Sequence, residues 1–301
     1  MIMPWLRGFV SRALVPLTWT LVLLNGYIFL MTYDAQPAPN QDFFSDQTRF
    51  ELTAKLYHEF KGGQGLPNRN QIFTLGAQAI HDVNFINTAE RMNYHGDQVA
   101  IERWKKDLVE FRDGLTVRQA QIYGLSWDQH RPLTWITYQF MHAGFVHLLS
   151  NMLMLIIFGS ALEMQIGGLG LIVIYILSGI TGAIGFLLLG EPTLAPMIGA
   201  SGSLSGIMAF YAVYERRKRV PFFFFLSPVQ GFYGWVWLPT WFIFPLYFIA
   251  DIAAYFGTLK ELGSGVAYTA HIGGMIFGVL TGYMWRKINK GPLPSRPEAV
   301  T

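Results

Sequence analysis

Cysteine is absent from the 301 residues, and charge is scarce: Asp, Glu, Lys and Arg make up 14% of the chain, against about 25% in an ordinary soluble domain. Without cysteine there is no disulfide framework, no thiol nucleophile and no cysteine-ligated zinc or iron–sulfur centre. No H-E-x-x-H sequence occurs, which disfavours a membrane zinc protease. A glycine-x-glycine-aspartate pattern, of the kind aspartyl intramembrane proteases carry, is missing too. What is abundant is apolar: hydrophobic residues reach 52%, with mean hydropathy +0.31. They collect in nearly uncharged runs of about 20, the length that crosses roughly 30 Å of hydrocarbon. The chain reads as an integral membrane protein.

Six runs qualify as spans: Leu14–Met31, then about Val146–Leu162, Leu169–Leu189, Ser201–Tyr214, Leu238–Tyr255 and Ala267–Trp285. The first is followed by Ala35-Gln36-Pro37-Ala38, as a cleaved signal peptide would be. It exceeds the usual 7–15-residue core of a signal, so a retained helix is expected. Val220–Leu226, with four consecutive phenylalanines, is too short to cross and reads as a segment lying in the interface.

The stretch between the first and second spans differs in composition. Before Arg131 it holds 13 of the 19 acidic residues and 10 of the 22 basic ones. Gly62-Gly63-Gln64-Gly65-Leu66-Pro67 breaks it in two. Ile101, Trp104, Leu108 and Phe111 recur at helical spacing within Gln98–Phe111, between Glu102, Lys105, Lys106 and Glu110. This predicts a small helical insert with an amphipathic helix on the membrane surface. Its histidines, His58, His81, His95 and His130, lack ligand spacing and read as solvated.

Of the remaining twelve Lys and Arg, ten flank alternate ends of the spans: Arg7 and Arg12, Arg216 to Arg219, and Arg286, Lys287, Lys290 and Arg296. Only Arg131 and Lys260 fall opposite. The positive-inside bias then puts both termini in the cytoplasm and the insert outside. Orientation accounts for the net charge of +3, and nucleic acid has no place in this reading.

Polar residues inside spans are costly, so each is a functional candidate. Three groups fall at one depth on the outer side. His147 and Asn151, four residues apart, share one helix face. Gly199-Ala200-Ser201-Gly202 opens the fourth span, and Ala270-His271-Ile272-Gly273-Gly274 stands near the start of the sixth. Their combined chemistry is acyl transfer. A serine hydroxyl needs a base, and His271 is the histidine on another span able to serve. At a helix start Ser201 meets free N–H groups that favour an oxyanion, and His147 and Asn151 add side-chain donors. Gly199 and Gly202 open space beside the nucleophile. Gly274, Gly278 and Gly282, with Gly202 and Gly206, make flat strips along which two helices can pack closely. A four-residue G-x-S-G is weak alone, and small residues in membrane helices usually serve packing. The weight lies in three motifs coinciding at one depth. Ser203 and Ser205 compete with Ser201, which alone has glycine next and begins the helix. His142 reads as supporting the outer loop by hydrogen bonding, Glu163 as anchoring an inner loop, and Asp251 as bonding a neighbouring helix.

Ser201 to Tyr214 is only about 21 Å long at about 1.5 Å per residue, against about 30 Å of hydrocarbon. With Glu215 and Arg216–Arg219 at the inner interface, Ser201 is expected about 9 Å below the outer surface, in a wet depression. Loop Gly257–Gly265 is its expected cap, with span five leaning aside to admit substrate.

This constellation resembles the rhomboid family of intramembrane serine proteases. The resemblance rests on His142-x₄-His147-x₃-Asn151-Met152, Ala161-Leu162-Glu163, Gly199-Ala200-Ser201-Gly202 and Ala270-His271-x₂-Gly274-x₃-Gly278, over about residues 120–288. Pro16-Leu17-Thr18-Trp19 matches more loosely at the first span. It implies an all-α membrane protein: a six-transmembrane-helix bundle, here with a helical extramembrane insert between helices 1 and 2. The implied catalytic residues are Ser201 as nucleophile and His271 as general base and acid, without a third acidic member. The oxyanion hole would be His147, Asn151 and the Ser201 backbone N–H, supported by Gly199, Gly202, Gly274, Gly278, His142 and Glu163. Leu133-Thr134 stands where many members carry Trp-Arg, and Ser205 where some carry an aromatic that stacks on the histidine.

The expected layout is a cytoplasmic N-terminus and first helix over 1–33, an extracytoplasmic insert over 34–131, a catalytic core over 132–288 and a cytoplasmic tail over 289–301. The expected activity is serine endopeptidase cleavage of single-span membrane proteins near the outer membrane face, with no cofactor and no metal. The partners are those transmembrane substrates and the bilayer. A bacterial inner membrane and a eukaryotic organelle both fit; no transit peptide is evident, so the bacterial inner membrane is the expected one. The alternatives are a non-proteolytic adaptor or chaperone on the same fold, and a transporter, which the single depth of the polar residues disfavours.

Overall fold

The computed structural model describes residues 2–4, 15–33, 46–116, 119–127, 131–190, 195–217, 219–225, 233–242, 249 and 267–289. The fold is predominantly helical. Pro16–Thr32 forms the first helix, α1, with Pro16 in its first turn, where a missing N–H costs nothing. Glu163, 6% exposed, supplies what the other orphan donors need. Its Oε2 accepts from the Thr18 amide and hydroxyl, both at 2.7 Å, and its Oε1 from the Leu17 amide at 3.0 Å. A carboxylate at a helix N-terminus is favoured by the dipole as well. Glu163 thus ties α1 to the rest of the core.

Among the described residues one continuous stretch, Phe145–Leu189, is long and apolar enough to cross a membrane. Forty-five residues would run about 68 Å as one helix, over twice the hydrocarbon thickness. Gly167, at φ 79° and ψ 163°, breaks it. The contacts fix the direction on each side of the break. His147 lies against Gly199, and Phe158 packs edge-on to Tyr211 with ring centroids 6.2 Å apart. Residues 145–166 therefore run alongside Ser201–Tyr214 in the same sense. Beyond Gly167, Ser178 faces Gly206 and Gly182 faces Gly202, so 168–189 runs back. The expected second and third spans are this reversal. A π turn, Leu155–Gly159, interrupts the first arm.

Ser201–Tyr214 has the expected bounds, and the last helix is Tyr268–Ile288. The main core fills the space between these helices with Leu155, Phe158, Leu162, Leu171, Tyr175, Ile207 and Tyr211.

The fold is not wholly helical, which corrects the all-α expectation. Ile2–Pro4 (β1), Arg219–Phe225 (β2) and Tyr233–Pro239 (β3) form an antiparallel sheet in the order β1-β2-β3. Phe223 pairs with Trp235 and, on the other side, with Met3. The phenylalanine run is thus a strand, as its aromatic β-propensity favours, and Leu238 belongs to β3 rather than to a fifth helix. Most of the fifth span, Asp251, Lys260 and loop Gly257–Gly265 lie outside the described residues, as do Arg7, Arg12, Lys218 and His130.

The insert folds upon itself. Gln47–Phe60, Arg69–His81, Val83–Thr88 and Gln98–Thr116 enclose a second core of Leu56, Tyr57, Phe85, Ile86, Trp104 and Leu108. Trp104 Nε1 donates to Thr53 Oγ1 at 2.8 Å. The apolar stripe of Gln98–Thr116 therefore meets other helices of the insert, not a membrane surface as expected. His95 is exposed, with its Nδ1 2.7 Å from Glu59 Oε1.

Asp82 joins three pieces of the insert. It accepts from Lys61 Nζ at 2.7 Å, the Tyr57 hydroxyl at 3.0 Å and the Phe85 amide at 3.1 Å. Burial pushes its carboxyl up, but the Lys61, Phe85 and Tyr57 donors together hold it below the usual carboxylate range. A carboxyl depressed in the folded state contributes stability that is present above the unfolded pKa, about 4. That contribution is lost as pH falls through the lower folded value. Asp82→Asn is expected to weaken the insert at pH 7 by roughly 0.5–1 kcal/mol, with the gap to wild type closing below about pH 4. Hydrogen exchange on the full-length protein across that range checks it; a gap unchanged by acid contradicts it.

Candidate active site

Ser201 begins its helix because Ala200 accepts the first helical bond, from the Leu204 amide at 2.9 Å, leaving the first N–H groups free. The segment before it is pinned at two points. Met197 and Leu125 exchange backbone hydrogen bonds at 2.9 and 3.0 Å, and the Gly199 amide donates to the Tyr138 carbonyl at 2.9 Å. Gly199 itself sits at φ +129°, a conformation side chains resist, and a Cβ there would lie 2.9 Å from the His147 ring.

His271 comes from the last helix, 70 residues away, and its Nε2 lies 2.9 Å from Ser201 Oγ. Both residues are half-buried. What brings them together is the glycine strip. A Cβ on Gly274 would collide with the Gly202 carbonyl, one on Gly278 with the Gly206 carbonyl, and one on Gly282 would press on Phe210. The two backbones meet directly, the geometry small residues permit in membrane helices. Tyr268, one turn before His271, holds its ring edge-on at 6.1 Å between centroids. It is the aromatic neighbour that Ser205 cannot be. The signal was the i, i+3 spacing of Tyr268 and His271 on a single helix.

His147 sits beside the loop that precedes Ser201. Its Nδ1 accepts from the Ala143 amide at 3.5 Å, which leaves Nε2 as the protonated nitrogen toward Gly199. Asn151 follows one turn on; it is buried, and its Nδ2 has no hydrogen-bond partner among the described residues. A buried donor left unpaired costs about 1–3 kcal/mol, and such exceptions concentrate at working sites. His142 packs edge-on against His147, ring centroids 5.2 Å apart. Its ring nitrogens make no hydrogen bond of ordinary geometry among the described residues, and the ring lies against the Phe140 backbone of the outer loop. Glu163 is at the opposite end of the bundle, capping α1, and does not belong to this site.

Ser203, fully buried, donates to Gln139 Oε1 at 3.0 Å, so its hydroxyl is committed to that bond. Gln139 is a residue the motifs did not signal. Also fully buried, it donates from Nε2 to the Trp135 carbonyl at 3.0 Å and the Ile176 carbonyl at 3.4 Å, while its own carbonyl accepts from Tyr175. Neighbouring Tyr138 donates to the Gly179 carbonyl at 2.6 Å. Together they lock the floor beneath Ser201.

Residues 129–288 match the family model described as Rhomboid domain. "Rhomboid protein 1, mitochondrial" of Saccharomyces cerevisiae is 30% identical over 150 residues, covering 48% of this chain and 39% of the yeast protein. "RHOMBOID-like protein 6, mitochondrial" of Arabidopsis thaliana is 42% identical over 73 residues, 24% of this chain and 23% of that one. "Putative rhomboid protease YdcA" of Bacillus subtilis is 40% identical over 76 residues, 25% of this chain and 38% of the relative. The chain thus spans well under half the length of each of these relatives.

Gln139→Leu is expected to destabilise the protein by about 1–3 kcal/mol, because it strands the Ser203 hydroxyl without an acceptor. Adding Ser203→Ala is expected to recover part of that loss. Thermal unfolding of the detergent-solubilised variants checks both; strictly additive losses contradict the shared bond.

Proposed function

The chain belongs to the rhomboid family and is an integral membrane protein, and on that premise we propose that it is an intramembrane serine endopeptidase working through a Ser201–His271 dyad. The observation that carries the reading is the 2.9 Å separation of His271 Nε2 and Ser201 Oγ across two helices. Ser201 Oγ attacks the scissile carbonyl while His271 Nε2 takes its proton and then returns it to the leaving amine. The oxyanion of the tetrahedral intermediate is met by the Ser201 amide at the helix start, by His147 Nε2–H and by Asn151 Nδ2. Water then attacks the acyl-enzyme, with His271 again as base. The unpaired Asn151 donor supports this assignment, since a group held ready for a charge that appears only in the transition state has no ground-state partner.

The wider arrangement follows from the same reading. The proposed bundle has six spans, the fifth falling mostly outside the described residues, and the chain divides at 33/34, 131/132 and 288/289. Residues 34–131 stand outside, both termini are cytoplasmic, and the membrane is a bacterial inner membrane. Substrates are single-span proteins cut near the outer face, where Ser201, about 9 Å deep, is reached by water.

Ser201→Ala and His271→Ala are each expected to lower cleavage of a labelled single-span substrate at least about 10³-fold. A fluorophosphonate is expected to label wild type and not Ser201→Ala. Cleavage surviving both substitutions refutes the dyad, and failure of wild type to cut any client or take the label favours the adaptor reading. His147→Ala and Asn151→Ala are expected to cost about 10²–10³ in kcat each, with unfolding temperature and KM little changed. Unchanged turnover in the double variant assigns the pair to packing alone.

A further inference from the structure

A cavity of about 610 Å³ opens between the last turns of the Ser201 and His271 helices, at the end of the bundle away from the dyad. Arg216, Arg286 and Lys287 line it, with Trp241 and Tyr283 as aromatic walls. A second opening of about 580 Å³ adjoins it, sharing Arg216 and Trp241 and adding Arg217 and Arg219. Five cations from three elements converge here: the end of the Ser201 helix, strand β2 and the end of the His271 helix.

Orientation bias accounts for basic residues on one side of a membrane. It does not account for their gathering around one cavity, because like charges repel and spreading them over the surface costs less. Among the described residues no carboxylate lies within ion-pair distance of any of the five. The nearest acid in sequence, Glu215, is buried beside Tyr211 and Tyr214, and its carbonyl accepts from the Thr240 hydroxyl. Arg216 and Arg217 lie within electrostatic reach of Arg286. Lys287 Nζ stands 5.0 Å over the Tyr283 ring, and Trp241 is more than half exposed. Cations poised over exposed aromatics at a bundle end are the furniture of a headgroup layer.

We propose that this cavity binds the phosphate group of an anionic lipid on the leaflet opposite the dyad. Guanidinium forks from Arg216 and Arg286 suit phosphate oxygens bidentately, with Lys287 as a point charge. Ala212 and Val213 give the cavity an apolar wall beside its cations. The apolar wall favours a lipid over free phosphate, and basic pockets between membrane helices are suited to such headgroups. The site needs neither Ser201 nor His271, so it stands apart from proteolysis.

The test uses full-length, delipidated protein in neutral detergent and measures binding of spin-labelled phosphatidylglycerol against spin-labelled phosphatidylcholine. Wild type is expected to prefer phosphatidylglycerol, and each charge removed is expected to weaken it about five-fold. Arg286→Gln with Lys287→Gln therefore loses about 25-fold, while Arg286→Lys keeps most of the affinity. Gel filtration and thermal unfolding confirm that the variants fold, and Arg286→Gln alone serves if the double variant does not. Inorganic phosphate is expected to compete only weakly; full displacement at equal concentration reassigns the site to free phosphate and overturns the lipid. Equal binding of the two lipids, or a preference that survives the Gln substitutions, overturns the site itself.

Discussion

The contact between Ser201 and His271 depends on two helix backbones meeting without side chains between them. Gly202 and Gly206 present carbonyl oxygens, and Gly274 and Gly278 offer only Cα hydrogens to receive them. Close packing of this kind is the main attraction left to helices in lipid, where burying apolar surface gains nothing over contact with acyl chains. It also fixes a distance. Ser201 and His271 head parallel helices, so the interaxial distance sets the gap between hydroxyl and imidazole, and at 2.9 Å that gap is a hydrogen bond. A methyl group anywhere along the strip would widen it.

Around this contact the buried polar groups fall into two kinds. Gln139, Ser203, Tyr138 and Glu163 are matched donor to acceptor, and each ties separate helices together. Their role is to make one packing arrangement much better than its neighbours, as satisfied networks in a low-dielectric interior do. Asn151 is of the other kind: its amide nitrogen is buried and has no partner among the described residues. A membrane interior punishes that more than water does, since no solvent reaches in to repair it. The same bundle thus holds rigid, satisfied polar contacts and, among the described residues, an open Asn151 donor one turn from His147.

The insert shows how one pattern admits two outcomes. Ile101, Trp104, Leu108 and Phe111 recur every third or fourth residue, which obliges one helix face to leave water. Period says nothing about what covers the face. Here Leu56, Tyr57 and Phe85 cover it, and Asp82 closes the structure by taking donors from three places in the insert. The same ambiguity applies to the phenylalanine run 222–225. Apolar residues seven in a row fit an irregular segment lying in the interface or a strand equally, and pairing with 233–239 decided for the strand.

Local order was legible along the chain wherever it depended on near neighbours. Length and uniform apolarity marked Ser201–Tyr214 to the residue, because a helix satisfies its own backbone and must do so in lipid. Charge asymmetry, the i, i+4 pair His147 and Asn151, and the four-residue glycine rhythm were equally visible, being properties of a single helix. Only the tertiary structure decided which helices meet. Gly167 turns one long apolar run into two antiparallel arms, Glu163 finds the start of α1 across 145 residues, and Gln139 finds Ser203 across 64. Each is a pairing at long sequence separation, chosen by the shape and polarity of surfaces that exist only once the helices have packed. A sequence determines which groups need partners; the fold, by the distances it imposes, determines which partners they obtain.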